Sequence, residues 1–268
     1  MKNFKDIKNR IRKVYWRVIS KRNKRLFKRD KIAIYQYMDE IFCNGKESFD
    51  AVVNKYSGNV KEYWNCQNIY SLSDYFPDRH TNSGKMIFDN FLKLYKEKPI
   101  LMDVGCASGE WTLRMASECK EIDGFEYSQN LVDTANEIGR TIENAHFYQA
   151  DAKNMKLDKK YDGALIQGML MYLDEENDIF KVLENVYKNL KPGAYLCTRD
   201  TLNQENKKVI FLYNKKNGYN SVYWNQKIYY EQFFKAGFIL KEEILLDEVK
   251  TRRLDFIARG AIWQKPNK

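Results

Sequence analysis

The sequence predicts an α/β protein built on a largely parallel sheet. From Pro99 onward, short apolar runs alternate with amphipathic stretches, the pattern of repeated βαβ crossovers. A glycine-rich turn, Gly105-Cys106-Ala107-Ser108-Gly109, follows directly on the first of those runs. The last two runs, FILKEEILL at 238–246 and RLDFIARGAIW at 253–263, are joined by only a short link, so they should pair as an antiparallel hairpin.

The chain reads as three parts: a basic amphipathic N-terminal helix over 1–31, a helical and loop cap region over 32–82, and the main domain over 83–268. The formal charge of +10 is concentrated at the front, where 14 Lys/Arg stand against Asp6 and Asp30 through Lys31, leaving the remainder slightly acidic. Phe4, Ile7, Ile11, Val14 and Val18 recur at steps of three and four and form one apolar stripe. Three readings fit such a helix: packing on the body with its charges solvated, peripheral contact with an anionic membrane, or contact with RNA.

Segments 33–43 and 48–56 have helical spacing, whereas YWNCQNIYSLSDYFPDRHTNSG mixes aromatics and turn residues without a period. A helix is expected over 83–97 with Ser83 as its cap. Strands are expected near 100–104, 121–126, 144–150, 161–167 and 193–199, and helices near 109–118, 128–139 and 175–190. Tyr-Trp-Asn occurs at 63–65 and 223–225, outside the central strands; with 19 tyrosines and 5 tryptophans, recurrence by chance with a packing role accounts for it, and a substrate lid is the alternative.

The five cysteines are scattered, odd in number and without a CxxC pair, which argues against a disulfide framework or a thiolate zinc site and for a reducing cytoplasm. The longest apolar run, ALIQGMLMYL, is too short to span a bilayer, and the front of the chain is too charged for a signal peptide. A soluble cytoplasmic protein is expected, with peripheral membrane contact as one reading of its basic front.

The turn lacks the G-x-G-x-x-G of a dinucleotide site. It resembles instead the first motif of class I S-adenosylmethionine-dependent methyltransferases: an acid ending the first strand, Asp103, then Gly105, Ala107 and Gly109 entering a helix. Alanine at the middle position departs from the motif by one methyl group, tolerable if its φ is negative. Further matches follow in order. Glu126 ends the second strand, where the resemblance implies a ribose-binding acid, and Tyr127 would lie over the adenine. Asp151 and Ala152 match the adenine-edge position after the third strand. YDGALIQGMLMYL looks like the fourth strand and its following loop, and NLKPGAYLCTRD like the approach to the fifth. The resemblance implies a seven-stranded Rossmann-like methyltransferase sheet with helices on both faces and an antiparallel C-terminal hairpin. It also implies S-adenosylmethionine as cofactor, S-adenosylhomocysteine as product, and Gln167 beside the cofactor.

Methyl transfer from a sulfonium asks mainly for alignment of acceptor, methyl and sulfur. An alcohol acceptor also needs a base, and an anionic oxygen does not. Histidine is limited to His80 and His146. His146 falls within a strand and reads as structural, while His80 precedes the helix leading into the first strand and is a candidate base or a solvated loop residue. Asp200, just past the fifth strand, is expected at the cleft rim as base or acceptor ligand. Arg79 and Arg199 are candidate partners for an anionic acceptor or for the cofactor carboxylate, with an ordinary surface ion pair as the alternative for each. Tyr172 could orient the acceptor, although Met169, Leu170 and Met171 beside it suggest packing.

No Asn/Asp-Pro-Pro-Tyr/Phe follows the fourth strand, no Pro-Cys loop is present, and Asp200 has no acidic partner at the fourth strand, so no metal is expected. The residue usage is that of an AT-rich bacterium. The expected acceptor is a small, anionic molecule, methylated on oxygen, of the phosphorylated, phosphoramidate or nucleotide-linked kind used for capsule or other surface polysaccharide. An RNA methyltransferase with a basic arm, and a non-catalytic binding module on the same fold, are the alternatives.

Overall fold

The computed structural model describes residues 35–37, 40–43, 87–204, 208–214, 220–247, 250–251 and 254–267. Two short strands come first, β1 (Tyr35–Tyr37) and β2 (Glu40–Cys43). Helix α1 covers residues 87–92. Then follow β3 (Ile100–Val104), α2 (Glu110–Met115), β4 (Glu121–Glu126), α3 (Gln129–Gly139), β5 (Ala145–Gln149), β6 (Tyr161–Gln167) and α4 (Glu176–Asn189). The chain closes with β7 (Leu190–Asn203), β8 (Val209–Asn214), β9 (Asn220–Trp224), α5 (Gln226–Lys235), β10 (Ile239–Asp247), β11 (Lys250–Thr251) and β12 (Leu254–Gln264).

The main sheet has the order β10-β12-β7-β6-β3-β4-β5, with β11 paired to β12. Strands β7, β6, β3, β4 and β5 are mutually parallel, and β12 and β10 add antiparallel, as the hairpin reading requires. The buried runs of β3, β4 and β6 show little polar alternation because helices cover both faces of a parallel sheet. On α4, Ile179, Val182, Leu183 and Val186 form one buried stripe, with Glu176 and Asp178 in the first turn and Lys188 in the last, as the helix dipole favours. Met102, Val104, Ala164, Ile166 and Leu196 pack against α4 and α5 in one cluster. Leu101, Ile122, Leu165 and Cys197 join α1 and α3 residues in a second.

Three expectations are corrected. Residues 35–37 and 40–43 are strands within a stretch whose spacing predicts a helix. Here β1, β2, β8 and β9 form a separate antiparallel sheet in that order, with Ile41 opposite Tyr213 and Phe42 opposite Leu212. Tyr, Ile, Phe and Cys in this stretch satisfy a strand once β8 supplies hydrogen bonds, a partner too distant in sequence for local periodicity to reveal. The helix expected to reach residue 97 ends at 92, where Leu94 and Tyr95 N–H bond back three residues to Phe91 and Leu92 and tighten the last turn. The fifth strand is longer than expected because β7 contains a bulge between Leu190 and Tyr195, with Gly193 at φ 77°, and runs on beside β12. The readings placed on 1–31, 48–56, Tyr63-Trp64-Asn65, Arg79 and His80 lie outside the described residues.

Candidate active site

The carboxyl ends of β3, β4 and β6 meet around the turn that joins β3 to α2. Gly105 (φ 79°) and Gly109 (φ 80°) take left-handed conformations, and the N–H groups of Gly105 and Cys106 both bond to Phe125 O, at 2.7 and 3.2 Å. A Cβ at residue 105 would stand 2.6 Å from Met169 Cβ, and one at 109 would stand 2.6 Å from the Phe147 ring. Both glycines are therefore required by packing as well as by φ. Ala107 corrects a condition set by the sequence reading: its φ is +49°, so the side chain is held in the left-handed region. Its N–H donates to Glu126 Oε2 at 3.0 Å, a contact that ties the turn to β4.

Glu126 accepts a second backbone bond, from Ser128 N–H to Oε1 at 3.0 Å. Burial raises its pKa, and the backbone donors from Ser128 and Ala107 partly offset that rise. Asp103 lies beneath the turn, 2% exposed, and accepts from Thr112 Oγ1 at 2.7 Å. Burial pushes its carboxyl up to about 6, the Thr112 bond opposes the rise, and the Glu126 charge adds to it. Asp103 thus braces the turn against α2.

Strand register fixes which side chains share a face. Asp103 pairs with Gly124 and with Leu165, so Glu126 and Gln167, two residues farther along their strands, lie on the face Asp103 shares with α2. Arg199 is the register partner of Gln167 and lies there too, and Gly168 N–H donates to Arg199 O at 2.7 Å. Asp200 must then face the other way. It is 4% exposed, accepts from Tyr229 Oη of α5 at 2.6 Å, and burial raises its pKa to about 7. The expectation of a carboxylate at the cleft rim is corrected accordingly: alternation along β7 turns Asp200 into the core beneath α5.

The other candidates divide. The Tyr127 ring is exposed, and its carbonyl accepts from Gln149 Nε2. Asp151 closes its own turn, accepting from Lys153 N–H at 3.0 Å and Asn154 Nδ2 at 2.9 Å, and the Ala152 carbonyl accepts from Asn185 Nδ2. Tyr172 is half-buried in a single 3-10 turn (Leu170–Tyr172) after β6, held to the second sheet where Trp224 Nε1 donates to Leu173 O. His146 sits at the opposite pole of the sheet, where Glu121, Asp123 and His146 offer ligand atoms within 4.8 Å of one another. Lys159 Nζ already bridges Glu121 and Asp123 there, at 2.6 and 2.7 Å. The thiols of Cys106 and Cys197 are buried, and burial pushes both up.

Sequence reasoning missed Ser128. It is fully buried at the start of α3, and its Oγ has no hydrogen-bond partner among the described residues. On the other side of the turn, Gln167 Oε1 and Nε2 are likewise enclosed and have no partners among the described residues. Orphaned polar atoms on both sides of the turn fit a polar ligand laid across it.

Comparison with known proteins agrees with this geometry. Residues 101–193 match the methyltransferase domain family. A solved methyltransferase from Methanosarcina mazei superposes with a TM-score of 0.57 at 19% identity, over 68% of this chain and 98% of that one. The N-methyltransferase NodS of Bradyrhizobium japonicum, in complex with S-adenosyl-L-homocysteine, gives 0.60 at 14% identity, over 77% and 96%. The fold is that of the class I S-adenosylmethionine-dependent methyltransferases. In sequence, YqeM of Bacillus subtilis, which carries a methyltransferase name, is 28% identical over 102 residues, 37% of this chain and 41% of that protein. The chain spans less than half the length of the curated relatives it matches.

Proposed function

We propose that this protein transfers a methyl group from S-adenosylmethionine to an oxygen of a small, anionic acceptor, of the phosphorylated, phosphoramidate or nucleotide-linked kind used to build bacterial surface polysaccharide. The observation that carries the reading is the Glu126 carboxylate, fixed by Ala107 and Ser128 N–H beside a turn that leaves no room for side chains at Gly105 and Gly109. A carboxylate so oriented accepts from vicinal ribose hydroxyls. Tyr127 offers an exposed ring for the adenine, and Asp151 with Ala152 follows at the adenine edge. The bound sulfonium supplies a methyl group already activated for displacement.

The chain's own task is alignment and exclusion of water. Met169, packed against Gly105, closes the turn on the β6 side, and Tyr172 in the following 3-10 turn is the residue assigned to orient the acceptor. Asp200 is held inside by Tyr229 and His146 lies at the far pole, an arrangement that favours an acceptor oxygen with no proton to remove. For an alcohol acceptor His80 is the base this reading assigns. The basic segment 1–31 is assigned to contact with an anionic membrane surface on the cytoplasmic side.

The test is S-adenosylhomocysteine release across phosphorylated sugars, nucleotide sugars, phosphoramidates and bulk tRNA, with wild type and Glu126→Ala. Turnover on one of the small anionic classes, abolished by the substitution, is expected. Turnover on tRNA alone, lost when residues 1–31 are deleted, would replace this reading with the RNA one, and absence of S-adenosylhomocysteine binding would leave a non-catalytic module.

A further inference from the structure

At the pole of the sheet opposite the glycine turn, one buried carboxylate is only half accounted for by its neighbours. Asp123 is 3% exposed. Its Oδ2 accepts from Tyr161 Oη at 2.8 Å and from Lys159 Nζ at 2.7 Å, while its Oδ1 is enclosed and has no hydrogen-bond partner among the described residues. An oxygen in that state is costly, because it has given up water without gaining a donor or a cation.

The strand register shows what stands around it. Asp123 of β4 is the register partner of His146 of β5, and Glu121 lies two residues earlier on the same face of β4. Ligand atoms of all three lie within 4.8 Å of one another, Asp123 is the buried member of the group, and His146 Nε2 stands 3.6 Å from Glu121 Oε1. In a tetrahedral site with bonds of about 2.0–2.1 Å, neighbouring ligand atoms are about 3.3 Å apart, so small side-chain rotations close the group on an ion. The position already suits a cation. Lys159 Nζ lies between the two carboxylates, 2.6 Å from Glu121 Oε1 and 2.7 Å from Asp123 Oδ2. One ammonium against two carboxylates leaves a negative charge uncancelled within the group. Lys159 comes from the loop leading into β6 and is one-third exposed, so its flexible stem can carry the ammonium out to water.

We propose that Glu121, Asp123 and His146 form a binding site for zinc or a divalent ion of the same class, which takes the place of the Lys159 ammonium. Two carboxylates and a neutral imidazole match a double positive charge, and the ion supplies the bare Oδ1 with the partner it lacks. The imidazole favours zinc and its neighbours over magnesium and calcium, which prefer all-oxygen sites. His146, whose side chain is 41% exposed, leaves the fourth position open to solvent. The bound ion ties the edge strand β5 to β4 at the end of the sheet away from the glycine turn. None of this depends on the methyl-transfer reading.

The test is calorimetry and thermal unfolding of the full chain with zinc chloride, together with the absorption spectrum of the cobalt(II) form. Wild type should bind one ion per chain, unfold at a higher temperature with zinc than without it, and show visible cobalt bands with no near-ultraviolet thiolate band. His146→Gln should weaken zinc by about tenfold or more. Lys159→Met should tighten it by about tenfold, since no ammonium competes for the carboxylates. Magnesium at the same concentration should leave the unfolding temperature unchanged. Equal zinc affinity in wild type and His146→Gln overturns the proposal, as does a thiolate band, a magnesium effect equal to that of zinc, or no zinc binding up to millimolar concentration. Weaker zinc binding by a folded Lys159→Met overturns the exchange of ammonium for metal. If Lys159→Met does not fold, the comparison of wild type with His146→Gln, a change at a partly exposed side chain, decides alone.

Discussion

Replacing Asp200 by Asn tests whether this acid belongs to the core or to the cleft. The carboxyl is buried and has its pKa raised by burial from 3.8 to about 7, against the opposing effects of the Tyr229 hydroxyl, the Arg199 charge and the Met171 backbone. In the unfolded chain it loses its proton near the ordinary value, so between these limits folding takes up a proton. The stability it supports is therefore fully present below pH 3.8, falls as pH rises, and is gone above about 7. At about 1.4 kcal/mol per pH unit the whole effect is on the order of 4 kcal/mol, of which about 2.5 kcal/mol falls between pH 5 and pH 8. Asn keeps a carbonyl for the Tyr229 hydroxyl and has no ionisation to suppress. Urea unfolding of both proteins at pH 5, 6, 7 and 8 should show the variant gaining on wild type by roughly that amount across the range. Other titrating groups are common to both and cancel in the difference. A difference that stays flat with pH would refute the reasoning, since it would mean that Asp200 ionises as freely inside as in water.

Three further outcomes follow from the turn and from Glu126. Gly109→Ala forces a Cβ to 2.6 Å from the Phe147 ring at a φ of 80°, and should cost about 2–4 kcal/mol in chemical unfolding; a neutral result would mean that the turn is more yielding than its packing implies. Ala107→Gly relieves the left-handed conformation and should stabilise the protein by about 1 kcal/mol, less the entropy glycine adds to the unfolded chain; a loss of stability would place Ala107 outside that region in solution. Glu126→Ala removes the acceptor for two backbone N–H groups and should weaken S-adenosylhomocysteine by about two orders of magnitude in calorimetry; unchanged affinity would move the ribose site elsewhere.

The elements that carry the site were legible because their signals are local. Strands β3, β4 and β6 stand where the apolar runs place them, and Glu126 ends β4 as expected. The antiparallel hairpin of β10 and β12 was readable from its short link. Strands β1 and β2 were not legible because a strand of three or four residues is decided by its partner, and β8 lies far along the chain. Ser128 and Gln167 give no sequence signal of being orphaned, since an unpaired polar atom is a property of what surrounds it and not of the residue.

By itself the sequence determined the alternation of strand and helix, the glycine turn and the acid that follows it, because hydrophobic period and backbone freedom are written residue by residue. Only the tertiary structure decided which face Arg199 and Asp200 each received: the register of β7 on β6, and of β6 on β3, sets Arg199 beside Gln167 and turns Asp200 under α5. Register is a sum over contacts from both faces of the sheet, and no single stretch of chain contains it.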